Sequence, residues 1–428
     1  MEQQIQSALE KQNPWWFGKP FDTGIPRLRY YPLLQKYLDA PEILLMLGAR
    51  RTGKSTLLYQ LISTLQVESR AILFINLDEP VFQSNAEDPT FLSALIEEYI
   101  AQQEGIHKFY IFIDEIQNYT HWAHALKILH DTNKQLKLVL TGSTAVLLQD
   151  AASTRLSGRY FPSTVYPLTF IEYLHFIGAH QPTLPEKRQA IDSYLQYGGF
   201  PRVALEKDET LRHELLKHYF QTIYLKDIIY PHNVRNNKDV FELLYFALST
   251  MGSFFSYTNV GKTLHISADT VKEYLSYAEQ SYLLSMVMKY DHSVRKQIAN
   301  PRKIYCVDTG LINAVSFKFS ENKGRLMENL VFLTLRKQQK QVFYHKGSYE
   351  CDFIIRDGRA IVRAIQVTAS LKDAAVKKRE LKGLMEAMCA YNLSEGVIVT
   401  ESEQETMHVE GKTITILPLH AWLTQIDA

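Results

Sequence analysis

Cysteine is scarce in this chain. Cys306, Cys351 and Cys389 are the only three among 428 residues, and no CxxC spacing links them. An odd count without paired spacing argues against a disulfide framework and a cysteine zinc site, and it fits a reducing compartment. An excess of either charge is missing as well. Lys and Arg total 47 against 46 Asp and Glu, a formal net charge of +1. A globally basic nucleic-acid binder is therefore not indicated, although that sum leaves room for local basic patches. No apolar run approaches the roughly 18 residues of a membrane-spanning helix. The first twelve residues are polar and lack an apolar signal core. Heptads, low-complexity tracts and fixed-period repeats are lacking too. Together these absences predict a soluble, cytoplasmic protein with no membrane partner.

Hydrophobic residues make up 46% of the sequence, and the length suits about two to four domains. Short apolar runs at 43–47, 71–77, 109–113, 136–141 and, more weakly, 161–166 alternate with helical stretches. Such runs read as buried parallel strands, five in all, of an α/β domain. Residues 1–40 are a polar lead with Pro14, Trp15, Trp16 and Phe17 and a short helix near Pro32–Leu38. Residues 170–238 read as helical, with a break at Gly198-Gly199-Phe200-Pro201. Strand-like segments return at 341–345, 351–355, 360–367, 396–400 and 414–418.

The most specific motif follows the first strand. Gly48-Ala49-Arg50-Arg51-Thr52-Gly53-Lys54-Ser55 reads GxxxxGK[ST], with Thr56 next. Leu57, Leu61 and Leu65 then recur at helical spacing. Glycines let backbone N–H groups turn toward phosphate, and the following helix aims its positive end at the anion. Lys54 would reach the β- and γ-phosphates, and the Ser55 hydroxyl would hold Mg²⁺. A second strand ends in Asp114-Glu115. Asp114 suits Mg²⁺, and Glu115 suits the base that polarises the attacking water. The next strand ends Thr141-Gly142-Ser143-Thr144, where a side chain would sense the γ-phosphate or serve a plain turn. Arg155 and Arg159 lie in RLSGR, either as charge stabilisers or as exposed structural arginines.

These four elements in this order resemble an AAA+ ATPase, with Asp114-Glu115 as the Walker B pair and Ser143 as sensor 1. TGSTAVLL, LSGRY and YPLTF narrow the resemblance to prokaryotic AAA-domain proteins with a poorly characterised C-terminal region. Asn13-Pro14-Trp15-Trp16 and GGFPRV (198–203) resemble that family's N-terminal and lid segments. The resemblance implies a sensor strand between the two Walker strands. It also implies a finger at Arg159, with Arg155 second and Arg202 a weaker lid-side candidate. A GTPase reading lacks its NKxD, since Asn133-Lys134-Gln135-Leu136 has no acid. A P-loop kinase stays open from the loop alone, but Glu115 directly after Asp114 favours water activation.

Residues 258–280 read as a helix-turn-helix, with Thr258 and Ser267 as N-caps and His265-Ile266 as the turn. SYLLSMVMKY and RKIYCVD would form a hairpin around the basic wing His292–Gln297. The whole resembles a winged helix. Thr270, Lys272, Arg295 and Lys296 are the candidate DNA contacts. Winged helices also pack against proteins, and Asp269 and Glu273 share the exposed face.

Further on, Glu328 on a helix, Asp352 opening a strand and Gln366 in the next strand are similar to the PD-(D/E)xK nuclease arrangement. There carboxylates hold Mg²⁺ and a lysine aids water. Thr368 stands where the lysine belongs, and Gln366 offers only a neutral oxygen, so the resemblance implies a remnant without catalysis. Lys372 as a migrated lysine stays open. The basic residues Lys372, Lys377, Lys378, Arg379 and Lys382 read as a nucleic-acid surface or a solvated helix face. The histidines, such as His107, His121, His124 and His130, form no metal-ligand set.

The expected fold class is α/β: an N-terminal extension (1–40), a P-loop AAA+ core with a five-stranded parallel sheet (41–170), a helical lid (171–238), a winged helix-turn-helix (239–311) and an inactive nuclease-like domain (312–428). The expected activity is ATP hydrolysis with Mg²⁺ by a homo-oligomer, coupled to DNA or a protein partner. Gly48 to Thr56 would bind ATP, with Lys54, Glu115, Ser143 and Arg159 catalytic and Ser55 and Asp114 on the metal. A nucleotide switch with slow turnover is the alternative. The missing lysine disfavours an active nuclease.

Overall fold

The computed structural model describes residues 2–148, 156, 158–316 and 323–427. The chain divides into two compact units, residues 1–165 with 280–282, and residues 166–279 with 283–428.

The first unit is built on five parallel strands, β1 (Ile43–Leu47), β2 (Ile72–Asn76), β3 (Phe109–Asp114), β4 (Leu136–Gly142) and β5 (Tyr160–Thr164). Their order is β2-β3-β4-β1-β5, so the expected five strands and the central sensor strand are borne out. Every residue of β1, β3 and β4 is buried. Helices cover both faces of such a sheet, which explains why these segments read as unbroken apolar runs. β5 is an edge strand and carries Pro162, which could not donate to a further neighbour.

The opposite edge, β2, is closed by the N-terminal lead. Asn13 imitates a neighbouring strand: its Nδ2 donates to the Phe74 carbonyl at 2.9 Å, and its Oδ1 accepts the Phe74 N–H at 2.7 Å. The Trp15 and Trp16 indole N–H groups both donate to the Ile72 carbonyl. Residues 13–16 therefore satisfy an edge that would otherwise expose backbone donors and acceptors. Lys137, buried on β4, donates to the carbonyls of Tyr37 and Ala40 at the end of the helix Tyr31–Asp39 and to that of Glu42, just before β1. Burial pushes its pKa down to about 8.

The second unit opens with helices at Phe170–Phe176, Leu184–Tyr197, Pro201–Leu205 and Glu209–Ile223. The GGFP break has a specific cause. The buried Asp308 carboxylate accepts the Gly199 N–H at 2.7 Å and the Gly310 N–H at 2.9 Å. Gly198 has φ +75°, and a Cβ there would stand 1.8 Å from Asp308 Oδ1. Burial pushes Asp308 up to about 7, against those backbone donors.

Next come the helix Asn237–Ser249, strand β6 (Phe254–Phe255), helices Tyr257–Leu264 and Ala268–Gln280, and strands β7 (Leu284–Val287) and β8 (Arg302–Cys306). The three strands form an antiparallel sheet in the order β6-β8-β7. Ser267 caps the second of these helices, its Oγ accepting the Thr270 N–H. The first is preceded by Ser256, not Thr258, which lies inside it. The expected wing loop contains a short helix, Val294–Ala299, with no buried residue.

The C-terminal sheet has six strands: β9 (Gln341–Lys346), β10 (Glu350–Asp357), β11 (Ala360–Val367), β12 (Glu395–Thr400), β13 (Glu405–Val409) and β14 (Lys412–Pro418). Their order is β13-β14-β12-β11-β10-β9. β13 escapes the hydrophobic pattern because it is a largely exposed edge strand. Among the described residues, no helix is long and apolar enough to cross a membrane.

Candidate nucleotide site

Gly48 follows β1 with φ +149°, and a Cβ there would stand 2.1 Å from the Val165 carbonyl oxygen. Gly53, at φ +95°, turns the loop into the helix Lys54–Thr64. The loop braces itself. Thr52 Oγ1 donates to the Ala49 carbonyl at 3.0 Å, and Arg27 donates to the Thr52 carbonyl at 2.9 Å. Lys54 is buried, and its ammonium donates to the Gly48 and Ala49 carbonyls at 2.9 and 3.0 Å. Arg51 is exposed and left-handed, while Thr56 lies half-buried in the helix's first turn.

Asp114 closes β3 and is buried. Burial and the neighbouring Glu115 charge raise its pKa, opposed by hydrogen bonds from the Ser55 and Thr141 hydroxyls and by Lys54. Ser55 and Asp114 thus sit together as hard oxygen donors. They fit Mg²⁺, which takes one or two protein oxygens and fills the rest of its shell from phosphates and water.

Glu115 takes a left-handed conformation, φ +57°, and its N–H donates to Thr141 Oγ1 at 3.1 Å. Its carboxylate meets Arg50 Nη1 at 3.5 Å and accepts the Gln117 side-chain amide. The Gln117 oxygen in turn accepts the Ser143 N–H at 3.3 Å. The structure thus gathers Lys54, Ser55, Asp114, Glu115 and Ser143 at the carboxyl ends of β1, β3 and β4, where open α/β sheets bind ligands.

Arg159 is elsewhere. It precedes β5, its carbonyl accepts the Ile43 N–H at 2.8 Å, and Tyr160 pairs with Ile43 at the start of β1. A strand of five residues, about 16 Å, separates it from the loop. Its guanidinium contacts Asp131 at 3.0 Å. Arg155 lies outside the described residues. Arg202 pairs with Glu206 at 2.9 Å in the second unit.

The candidate DNA contacts lie in the second unit on two separate elements. Thr270 and Lys272 belong to Ala268–Gln280, and Arg295 and Lys296 to the short helix Val294–Ala299. Lys272, Arg295 and Lys296 are exposed, whereas the Thr270 hydroxyl bonds to Ser267. On the C-terminal helix Ala374–Ala390, Lys377 pairs with Glu405, Arg379 with Glu380, and Lys382 donates to the Tyr349 hydroxyl.

Glu328 and Asp352 converge, as the nuclease resemblance implies, but on a lysine. Lys303 Nζ lies 2.9 Å from Glu328, 2.7 Å from Glu350 and 3.0 Å from Asp352. Tyr305 donates to Glu328 at 2.7 Å, and the Val367 N–H donates to Asp352 at 2.9 Å. Burial and the Asp352 charge push Glu328 up to about 7, against Lys303. Gln366 accepts the Asp352 N–H with its oxygen and donates to Glu380 with its amide.

Comparison with known proteins agrees with the first unit's geometry. An AAA domain model matches residues 40–174. Two domains of unknown function, DUF8612 and DUF4143, match residues 188–322 and 323–422. An uncharacterized protein of Haemophilus influenzae is 30% identical over 414 residues, which cover 94% of this chain and 99% of the relative. The chain belongs to the family of prokaryotic AAA-type ATPases. A second relative in that family, an uncharacterized protein of Methanocaldococcus jannaschii, is 28% identical over 89% of this chain and 88% of its own length. Among solved structures, a DNA polymerase III gamma subunit-related protein of Thermotoga maritima is 14% identical. It covers 72% of this chain and 99% of its own, with a TM-score of 0.28.

Within this AAA-type ATPase, three polar groups at the two sites escaped sequence reasoning. Gln117 and Thr141 stood inside or beside recognised motifs, but their roles depend on partners on neighbouring strands. Lys303 carried no sequence signal, because strand β8 reads simply as the return of a hairpin.

Proposed function

We propose that this AAA-type ATPase hydrolyses MgATP and couples the cycle to DNA engaged by residues 239–311. One observation carries the reading: Lys54, Ser55, Asp114 and Glu115 meet at one set of strand ends, with the Ser143 backbone tied to Glu115 through Gln117. The loop's N–H groups and Lys54 bind the phosphates. Ser55 and Asp114 would hold Mg²⁺, which neutralises charge on the transferring phosphoryl group. Glu115 orients and polarises the attacking water, and the sensor position at Ser143 registers the γ-phosphate.

Arg159 serves a neighbouring copy's site in this reading, because it lies at the far end of its own sheet. The chain therefore works as a homo-oligomer. The helix–strand–helix–helix–strand–strand order of residues 237–306, interrupted between its last two strands by the short helix Val294–Ala299, supports a winged helix, with Lys272, Arg295 and Lys296 as phosphate contacts. Residues 171–238 would form the lid.

The test is ATPase rate against protein concentration, with and without single- and double-stranded DNA, for the wild type and Arg159→Ala. A rate that climbs with concentration, responds to DNA and collapses in the variant supports the proposal. A flat rate, indifferent to DNA and to the variant, sinks it in favour of a slow nucleotide switch with a protein partner. Arg50 and Gln117 both contact one oxygen of the Glu115 carboxylate, and that hold on the base favours the second reading.

A further inference from the structure

In the nuclease arrangement that the C-terminal region resembles, a divalent cation would sit among the positions of Glu328, Asp352 and Gln366. The residues do not fit one. Glu328, Glu350 and Asp352 each direct an oxygen at Lys303 Nζ, at 2.9, 2.7 and 3.0 Å. Of the three N–H donors of the ammonium, Glu328 and Asp352 each accept one, and Glu350 adds an ion pair at 2.7 Å. Oxygens around Mg²⁺ stand at about 2.0–2.1 Å and around Ca²⁺ at about 2.3–2.6 Å, so this shell is sized for N–H···O bonds.

The remaining donors are committed elsewhere. The second Asp352 oxygen takes the Val367 N–H, and the Gln366 oxygen takes the Asp352 N–H. Thr368 gives its hydroxyl to the Ser370 carbonyl, and Lys372 is exposed. Among the described residues, no group of three or more His, Cys, Asp or Glu is placed to hold a metal ion.

We infer that Lys303 is the built-in cation of this carboxylate cluster, standing where the nuclease arrangement would seat a divalent metal. The inference is independent of the ATPase reading. The lysine comes from β8, its side chain is 1% exposed, and its partners lie on the helix Lys323–Lys337 and on β10. The cluster therefore fastens the small antiparallel sheet to the C-terminal sheet, and the C-terminal domain performs no metal-dependent cleavage there.

The experiment uses full-length, nucleotide-free protein with Mn²⁺ as the probe. Calorimetric titration and melting curves, in EDTA and in Mn²⁺, compare the wild type, Asp352→Asn and Lys303→Met. The wild type should show no Mn²⁺ binding that Asp352→Asn removes. Lys303→Met should melt about 10 °C lower in EDTA and regain a substantial part of that loss in Mn²⁺. Saturable Mn²⁺ binding by the wild type that disappears in Asp352→Asn overturns the inference. So does a folded Lys303→Met protein with no Mn²⁺ response. If Lys303→Met does not fold, the wild type against Asp352→Asn decides alone: a shared Mn²⁺ isotherm supports the inference, and a lost one refutes it.

Discussion

Lys54 and Lys303 are both buried lysines near aspartate and glutamate, yet their ammonium groups meet different partners. Lys54 donates to two neutral carbonyls of its own loop. Lys303 donates to the Glu328 and Asp352 carboxylates and forms an ion pair with Glu350. A hydrogen bond from a charged donor to a carbonyl nets about 1.5–3 kcal/mol, and a phosphate anion offers the same ammonium a charged acceptor in exchange. Pulling a charge out of a buried ion cluster costs about 3–5 kcal/mol, because the partners stay behind unpaired. One lysine is poised to trade its partners for a ligand, and the other is committed to holding the structure.

That contrast can be broken experimentally. The largest effect should come from the base: Glu115→Gln should lower ATP turnover by about 10²–10⁴-fold while nucleotide stays bound. Single-turnover hydrolysis beside a binding titration checks this. Lys303→Met should cost about 3–5 kcal/mol of stability and leave ATP affinity unchanged. Lys54→Met should do the reverse, weakening ATP binding by about 100-fold with little change in melting temperature. If the two lysine variants show the same profile, the comparison fails.

Gln117→Leu is expected to lower turnover by about 10-fold at unchanged ATP affinity, since it removes the link between Glu115 and Ser143. A KM effect instead would place Gln117 in binding. The smallest change should follow Glu350→Gln, less than about 1 kcal/mol by thermal melting. Glu350 is the most exposed of the three carboxylates, at 29%, and Lys303 keeps two others.

How much was legible differs between the two sites for a physical reason. The phosphate loop is a contiguous stretch, and its chemistry needs adjacent residues: two glycines, a lysine and a serine at the start of one helix. Asp114-Glu115 is likewise local, at the end of an apolar strand. Gln117 lies in plain view beside that pair, but its second partner, Ser143, is 26 residues away, just past the end of β4. In the carboxylate cluster the motif pointed to Thr368, where no lysine stands. The lysine arrives 25 residues before Glu328 and 49 before Asp352, and a purely local pattern has no access to such distances. The edge repair by Asn13, 61 residues from Phe74, was unreadable for the same reason.

Apolar periodicity and residues in direct succession therefore determined the five parallel strands, the phosphate loop and the acidic pair, because backbone geometry and a single helix terminus suffice to place them. Tertiary structure decided the rest. Strand order put Thr141 and Ser143 beside the Walker B pair, and parallel register put Arg159 at the end of the sheet away from its own loop. The packing of β8 against β10 turned a would-be metal shell into an ion cluster. Each of these depends on which distant segments share a desolvated neighbourhood, and only the folded chain sets that.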